Sequence, residues 1–224
     1  ATSNAVDSFV YYNVQAATFQ DIIINEIFAD PTPTVALPAS EFVELFNRSS
    51  NIIDLGAMIF NDGSNKILPS FLLFPDSVVV LTASANVAAF SVFGAAIDIG
   101  SLSMTNGGEL LTLKDGGGQT IDSINYHVSW YQDVSKENGG WSLELINPNL
   151  LCQEANNWIA SVNATGGTTA GAITAIGVIT GSLIVSASDQ QDAITTIGVT
   201  TGSLIVTSSA HQSSITAIGV TSAS

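Results

Sequence analysis

Four carboxylate residues in the first fifty positions could supply oxygen ligands to a metal ion. Glu26 and Asp30 precede a Pro-rich stretch, and Glu41 and Glu44 follow it. Carboxylate oxygens are the ligands that calcium prefers in proteins. No EF-hand loop and no regular Asp/Asn ladder accompanies these residues. We therefore predict that the protein has no cofactor, and calcium bound by these four carboxylates is the alternative.

Residue types that carry catalysis are present but scattered. His127 and His211 lie far apart in the chain, and neither belongs to an HExxH motif or a Cys/His cluster. No GxSxG phrase marks a nucleophilic serine. The single cysteine, Cys152, cannot form an internal disulfide and is interpreted as a small buried hydrophobe. The sequence thus predicts a protein that is not an enzyme.

Aromatic residues late in the chain could form a surface for binding a ligand. Exposed aromatic rings stack on sugar rings and on other proteins. Trp130 and Tyr131 lie together in the stretch YHVSWY (126–131). The sequence therefore predicts a ligand surface at these two residues, suited to a glycan or to a host-surface protein.

Short β-strands separated by turns must position all of these residues. The strand-like runs are rich in β-branched residues, and Gly, Asn, Asp or Pro stand between them. The turns NDGSN (61–65), TNGG (105–108) and KDGGG (114–118) contain the Asn/Asp-Gly pairs of β-hairpins. Only NVAAFSVFG (86–94) favours a helical turn. The predicted strands are DIIINEIF (21–28), SVVVLTA (77–83), ELLTLKD (109–115), QTIDSINY (119–126) and WSLELI (141–146).

The charge of the chain excludes two classes of partner. The 224 residues include 4 basic and 19 acidic side chains, which gives a formal net charge of −15. A polyanion such as nucleic acid would be repelled, and so would an anionic membrane surface. No apolar run approaches the about 18 residues that a membrane-spanning helix needs. We therefore predict no nucleic-acid binding and no membrane span.

Four phrases in a fixed order resemble the bacterial lamin tail domain. They are IIINEIFADPTP (22–33), EFVELFNRSS (41–50), GGWSLELINP (139–148) and NNW (156–158). The resemblance implies an immunoglobulin-like β-sandwich, found mostly as a module of secreted and cell-surface proteins. It also implies core positions for Trp141 and Trp158. It implies no catalytic residues, because this sandwich is a scaffold whose members share no active site.

The C-terminal part of the chain is an internal repeat with a period of 21 residues. Residues 172–192 and 193–213 are identical at 14 of 21 aligned positions, and 214–224 form a partial third copy. Each unit contains two strand-like runs, ITxIGV and GSLIV, joined by a short Thr/Gly turn. Two strands alone bury too little surface to be stable. We therefore expect the repeats to stack on one another or to pair with other chains.

The repeat tail lacks the charges that usually keep edge strands from pairing. From residue 166 to the end there is no Lys or Arg, and the only acidic residues are Asp189 and Asp192. The apolar, aromatic run SFVYYNVQAATF (8–19) precedes the lamin-tail-like region and is a second candidate for strand pairing; an extra edge strand of the sandwich is the alternative there. The predicted assembly residues are Phe9, Val10, Tyr11, Tyr12, Leu183, Ile184, Val185, Leu204, Ile205, Val206, Ile215 and Ile218.

The sequence predicts an all-β protein with an immunoglobulin-like β-sandwich followed by C-terminal β-strand repeats. The expected organisation is an N-terminal extension (1–19), the sandwich (20–165), a Gly/Thr hinge (166–171) and the repeat tail (172–224). We predict an exported bacterial structural protein, extracellular or on the cell surface. Its copies would assemble into a fibre, appendage or surface layer by strand pairing. The alternative is a monomeric adhesion or carbohydrate-binding module tethered by its tail.

Overall fold

A computed structural model of the chain describes residues 12–167 and two short strands at 182–185 and 203–206. The chain divides into two compact units, Ala1–Thr174 and Ala175–Ser224. The first unit holds β1 to β13, and β14 and β15 belong to the second. Among the described residues, the structure contains no helix with the length and apolar composition of a membrane span.

The first unit consists of short strands joined by tight turns, as the runs of β-branched residues predict. Among residues 12–167, one α-helical turn, α1, lies at Val87–Phe90, inside the stretch that favours one. The same residues form three 3-10 helices, at Ser84–Asn86, Val128–Tyr131 and Leu151–Asn157. The strands are β1 (Val14–Gln15), β2 (Ile22–Phe28), β3 (Phe42–Asn47), β4 (Ile52–Asp54), β5 (Ile59–Asn61), β6 (Asn65–Ile67), β7 (Leu72–Leu73), β8 (Val78–Thr82), β9 (Ala96–Asp98), β10 (Leu110–Lys114), β11 (Thr120–Asn125), β12 (Leu143–Leu145), β13 (Trp158–Ala160), β14 (Ser182–Val185) and β15 (Ser203–Val206).

Two sheets pack face to face in the first unit. The larger sheet has six strands in the order β13-β12-β2-β3-β8-β9, and the smaller has four in the order β11-β10-β5-β6. All their pairings are antiparallel except that of β8 with β9. A third sheet, β1-β4-β7, contributes Ile53 and Leu73 to the hydrophobic core that lies between these two sheets. This arrangement confirms the predicted all-β, immunoglobulin-like sandwich.

The main core lies between the two large sheets, where alternate residues of each strand point inward. In β3, Val43 and Leu45 face this core, and in β10 Leu111 and Leu113 do so from the opposite sheet. Further buried members are Ile22, Ile24, Ile27, Phe60, Val79, Leu81, Leu143 and Trp158.

A second core covers the other face of the six-stranded sheet. Phe28, Phe42 and Val80 pack with Leu37 and with Phe90 of α1. The rings of Phe28 and Phe42 lie 5.3 Å apart, and those of Phe42 and Phe90 lie 5.1 Å apart. Because the central strands are buried on both faces, their sequences are nearly continuous apolar runs, as in IIINEIF and VVVLT.

A β-bulge in β2 permits a hydrogen bond between the two large sheets. The register between β2 and β3 shifts between Ile24 and Glu26, so both Ile24 and Ile27 reach the main core. The bulge frees the amide of Ile24, and Oδ2 of Asp122 in the facing sheet accepts its hydrogen bond at 2.8 Å. Burial raises the pKa of the Asp122 carboxyl above its ordinary value. This hydrogen bond satisfies a buried amide that strand pairing leaves without an acceptor.

The chain is held to the sandwich as far as Gly167. The amide of Ser142 donates to the carbonyl of Gly166 at 2.7 Å. A Cβ atom at Gly166 would overlap the carbonyl oxygen of Gly140, so these two backbones approach more closely than a side chain allows. The predicted hinge at 166–171 therefore begins with two residues that contact the sandwich. Its further residues lie outside the described ones, and the domain boundaries stay predictions.

Candidate functional site

Three buried glutamates form a row across the outer face of the six-stranded sheet. Glu26 of β2 pairs with Glu144 of β12 on one side and with Glu44 of β3 on the other. Each is less than 10% exposed. Directly opposite residues of this kind have Cβ atoms about 4.5–5.5 Å apart. Asn25 Nδ2 donates to Glu44 Oε1 at 2.8 Å, which fixes one carboxylate of the row.

Other parts of the chain close over the glutamate row. The Cα of Gly167 lies so near that an added Cβ would contact Glu26 Oε1 and Ser142 Oγ, 2.8 and 2.9 Å away. Leu37 packs against the same point. Ser142 Oγ is buried and has no hydrogen-bond partner among the described residues. The row is therefore an internal feature, covered at this point by Gly167 and Leu37.

The structure pairs two of the four calcium candidates directly and gives the other two separate hydrogen-bond partners. Glu26 and Glu44 lie side by side in the glutamate row. Glu41 binds the amide of Met104 elsewhere, and the half-buried Asp30 accepts a hydrogen bond from Thr32 at 3.4 Å. Among residues 12–167, no group of three or more His, Cys, Asp or Glu side chains is arranged to hold a metal ion. Glu144 was missed in the sequence analysis, although it occupies the middle of the strand WSLELI in the same way that Glu44 occupies EFVELF.

A second acidic cluster surrounds the segment that precedes β10 in the sequence. Three carboxylates of this cluster accept hydrogen bonds from three consecutive backbone amides. They come from the residue before β3, the turn after β5 and the residue before β10. Asp62 Oδ2, Glu41 Oε2 and Glu109 Oε1 accept hydrogen bonds at 3.1, 3.0 and 3.1 Å from the amides of Ser103, Met104 and Thr105. These bonds tie an irregular segment to both sheets, so the cluster has a structural role.

Burial and like charge shift the titration of this cluster. Burial raises the pKa of Glu41, and repulsion from Asp62 and Glu109 raises it further. Burial likewise raises the pKa of Glu109, with Asp62 adding to the effect. Both carboxyls therefore bind protons more readily in the folded than in the unfolded chain.

This cluster predicts a gain in stability under mild acid. Because the pKa values of Glu41 and Glu109 are raised, the free energy of unfolding should increase as the pH falls from 7 through their range. The gain should be complete below the ordinary value of 4.5. Urea unfolding across this range should show a smaller increase in Glu41→Gln than in the wild type. Glu137→Gln, outside the cluster, is the matched control, and an equal pH slope in wild type and Glu41→Gln would contradict the prediction.

The two residues of the predicted ligand surface differ in exposure. Trp130 is half-buried against the main core, with its ring 6.5 Å from that of Trp158. Tyr131 is 5% exposed, and its hydroxyl donates to the carbonyl of Trp141 at 3.0 Å. Burial raises the pKa of the Tyr131 hydroxyl. Tyr131 thus packs inside the sandwich, and of the two only Trp130 contributes partly to the surface. The interpretation of Cys152 as a buried hydrophobe was wrong, because this residue is exposed.

Side chains cover one edge of the six-stranded sheet. Strand β13 is the last strand at this edge. Gln132 Nε2 donates to the carbonyl of Trp158 at 2.7 Å, and Lys136 Nζ donates to the carbonyl of Ser161 at 2.6 Å. Lys136 Nζ also lies 4.2 Å from the ring centroid of Trp141. Carbonyl groups that could accept another strand are therefore occupied here.

The N-terminal assembly candidates lie partly within the described chain. Strand β1 pairs in parallel with β4, with Val14 opposite Ile52 and Gln15 opposite Ile53. Tyr12 is about half exposed, and its ring contacts Phe74 edge-on with centroids 5.2 Å apart. This segment is therefore an extra edge strand of the first unit. Phe9, Val10 and Tyr11 lie outside the described residues.

The repeat strands β14 and β15 pair in parallel, and each position lies opposite a residue of its own type. The offset between partners is one repeat of 21 residues. The predicted residues Ile215 and Ile218 lie outside the described residues. The paired positions are Ser182 with Ser203, Leu183 with Leu204, Ile184 with Ile205 and Val185 with Val206.

Comparison with known proteins bears on the first unit. Residues 15–127 match the family profile of the Lamin Tail Domain. This range contains β2 to β11 and therefore most of both large sheets. A search of curated proteins found no match to the chain.

Proposed function

The chain belongs to the lamin tail domain family, and from this membership we propose that it is a self-associating structural subunit that assembles through strand pairing of its terminal segments. The family's immunoglobulin-like sandwich is a non-catalytic structural fold without a known cofactor. It acts as a structural or interaction module. The proposal assigns the sandwich the role of a stable body and the repeat strands the role of connecting one copy to another.

The pairing of β14 with β15 is the observation that carries this proposal. Parallel strands with identical residues in register form a pattern that another identical strand can extend. The equivalent strand of a second copy has the same sequence and can add with the same register. Such a head-to-tail contact is heterologous, and repeated contacts of this kind generate rings or filaments.

The distribution of charge supports the same assignment. Residues 166–224 carry only two acidic side chains and no Lys or Arg, so little charge opposes strand pairing there. The remaining acidic residues give the preceding region a strong negative charge, which would keep unassembled copies apart. Salt screens such repulsion. We therefore propose assembly outside the cell, in an extracellular fibre, appendage or surface layer.

Charge placed in the repeat strands should prevent assembly. In Ile184→Lys with Ile205→Lys, two positions that face each other in parallel pairing receive like charges, which repel. The wild type should form species whose sedimentation grows with concentration and which appear as filaments or sheets by negative-stain electron microscopy. The double variant should remain small at every concentration tested.

Val134→Lys is the matched control, because Val134 is 76% exposed on the first unit. This control should assemble as the wild type does. Uniform monomers of wild type and variants at all concentrations would contradict the proposal. That result would favour the alternative, a monomeric adhesion or carbohydrate-binding module, and a glycan-binding screen of the wild type would follow.

A further inference from the structure

A buried lysine and a buried aspartate touch each other at the end of the four-stranded sheet. Lys66 lies in β6 opposite Phe60 of β5, on the side of the sheet that faces the core. Lys66 is 7% exposed and Asp62 is 6% exposed. Lys66 Nζ contacts Asp62 Oδ1. Lysine is among the residues that are least often buried, because removing its charge from water costs on the order of several kcal/mol per ion.

Ser64 and the backbone of Ser103 supply further hydrogen bonds to this pair. Ser64 Oγ accepts a hydrogen bond from Lys66 Nζ at 2.8 Å and donates one to Asp62 Oδ1 at 3.1 Å. The hydroxyl therefore bridges the amine and one carboxylate oxygen. The backbone amide of Ser103 donates to the other oxygen, Oδ2, at 3.1 Å. The backbone amide of Ser64 also donates to Oδ1, at 3.3 Å. The two oxygens of Asp62 therefore differ in that only Oδ1 meets the amine and the hydroxyl, whereas Oδ2 accepts from the Ser103 amide.

We propose that Lys66 and Asp62 form an intramolecular isopeptide bond, an amide between Lys66 Nζ and Asp62 Cγ. This modification site is independent of the proposed assembly of the repeat strands. It requires no cofactor, oxidant or second protein, because every reacting group is in place in the folded chain.

The reaction is a condensation that releases one water molecule. A proton moves from the Lys66 ammonium to Asp62 Oδ1, which leaves a neutral amine and a neutral carboxylic acid. The lone pair of Nζ attacks Cγ, and the Cγ–Oδ2 double bond opens into an oxyanion that the Ser103 amide stabilises. A second proton passes from Nζ through Ser64 Oγ to the Oδ1 hydroxyl. The Cγ–Oδ1 bond breaks, water departs, and the restored carbonyl and the nitrogen form the amide.

Placement and burial favour this condensation over the reverse hydrolysis. Holding two reacting groups in contact within one molecule is equivalent to effective concentrations of about 10⁵–10⁸ M in well-oriented cases. The product also replaces a buried ion pair by a neutral amide, and an isolated pair of charges is the more costly group to keep from water. Asp62 and Lys66 are four residues apart across a turn, so the covalent ring that the isopeptide bond creates closes without moving the sheets.

Mass spectrometry of the denatured full-length wild type tests the proposal. The intact mass should be lower than the mass of the sequence by one water. Trypsin cleaves after Arg48, Lys66 and Lys114 in this region, but an acylated lysine is not cleaved. The digest should therefore contain a single peptide, 49–114, that lacks one water. Peptides 49–66 and 67–114 at full mass would overturn the proposal.

A succinimide at the Asp62-Gly63 sequence would also remove one water, and the digest distinguishes it. A succinimide leaves the Lys66 amine free, so cleavage after Lys66 combined with a loss of water would also overturn the proposal. Lys66→Met should restore the full mass, and the control Lys114→Met should retain the loss of water. Ser64→Ala should slow bond formation at least about tenfold, followed by mass in freshly made protein, because a proton relay of this kind typically contributes that much or more. An unchanged rate would remove Ser64 from the mechanism.

Discussion

Replacing Gly139 by alanine is expected to destabilise the sandwich by about 3 kcal/mol or more, because two penalties coincide at this position. The backbone of Gly139 has φ +99°, which L-amino acids with a side chain rarely adopt. An added Cβ would also overlap the carbonyl oxygen of Thr32, a backbone atom that cannot move aside without its loop. Urea unfolding of Gly139→Ala beside the wild type measures this difference.

Gly118 supplies a control that separates the two penalties. Its φ is +86°, and nothing lies within 4 Å of the position that a Cβ would occupy. Gly118→Ala therefore carries only the conformational penalty, of about 1 kcal/mol. If the two variants lose equal stability, close packing between residues 32 and 139 is not what the glycine provides.

Replacing Asn47 by aspartate should cost about 2–4 kcal/mol, because a buried amide that acts as both donor and acceptor loses its donor. Asn47 is fully buried at the end of β3. Its Nδ2 donates to the carbonyls of Asn51 and Leu73 at 2.8 and 2.9 Å, and its Oδ1 accepts from Ser49. Aspartate keeps the shape but sets a carboxylate oxygen against two carbonyl oxygens. Chemical denaturation at pH 7 measures the loss.

The control for Asn47 is the same substitution at an exposed site. Asn65 is exposed, and its Oδ1 accepts a hydrogen bond from Asn61, which an aspartate oxygen can also accept. Asn65→Asp should therefore change stability by no more than about 0.5 kcal/mol. Equal losses in both variants would mean that added negative charge, and not the missing donor, determines the effect.

Asn157 of the phrase NNW is used in the same way as Asn47 of the phrase EFVELFN. Its Oδ1 accepts from the amide of Asn147, and its Nδ2 donates to the carbonyls of Asn147 and Leu150. Asn47 is the last residue of β3 and Asn157 immediately precedes β13, and each fixes the loop beside its strand. The phrases that resemble the lamin tail domain therefore include loop-fixing amides as well as strand residues, and composition alone does not reveal that role.

The glutamate row shows the limit of reading strands one at a time. Alternation along EFVELF places Glu44 on the face opposite Val43 and Leu45, which the sequence indicates. That Glu26 and Glu144 lie directly beside Glu44 depends on strand order and on the bulge between Ile24 and Glu26. Neither strand order nor a bulge has a local signature. The same reason explains why the burial of Tyr131 was not apparent, since β13 and the main core enclose it.

The sequence by itself determined the class of fold, the positions of five strands of the first unit and of several turns, the repeat and the uneven distribution of charge. These properties depend on local periodicity, on turn residues with positive φ and on composition, all of which are written along the chain. Only the tertiary structure decided which groups meet: the three glutamates in one row, and the Ser103 backbone amide with Oδ2 of Asp62, 41 residues away. Such contacts depend on how distant strands pack together. A strand with one apolar face can pair with many other strands, and only the complete sandwich selects one of these pairings.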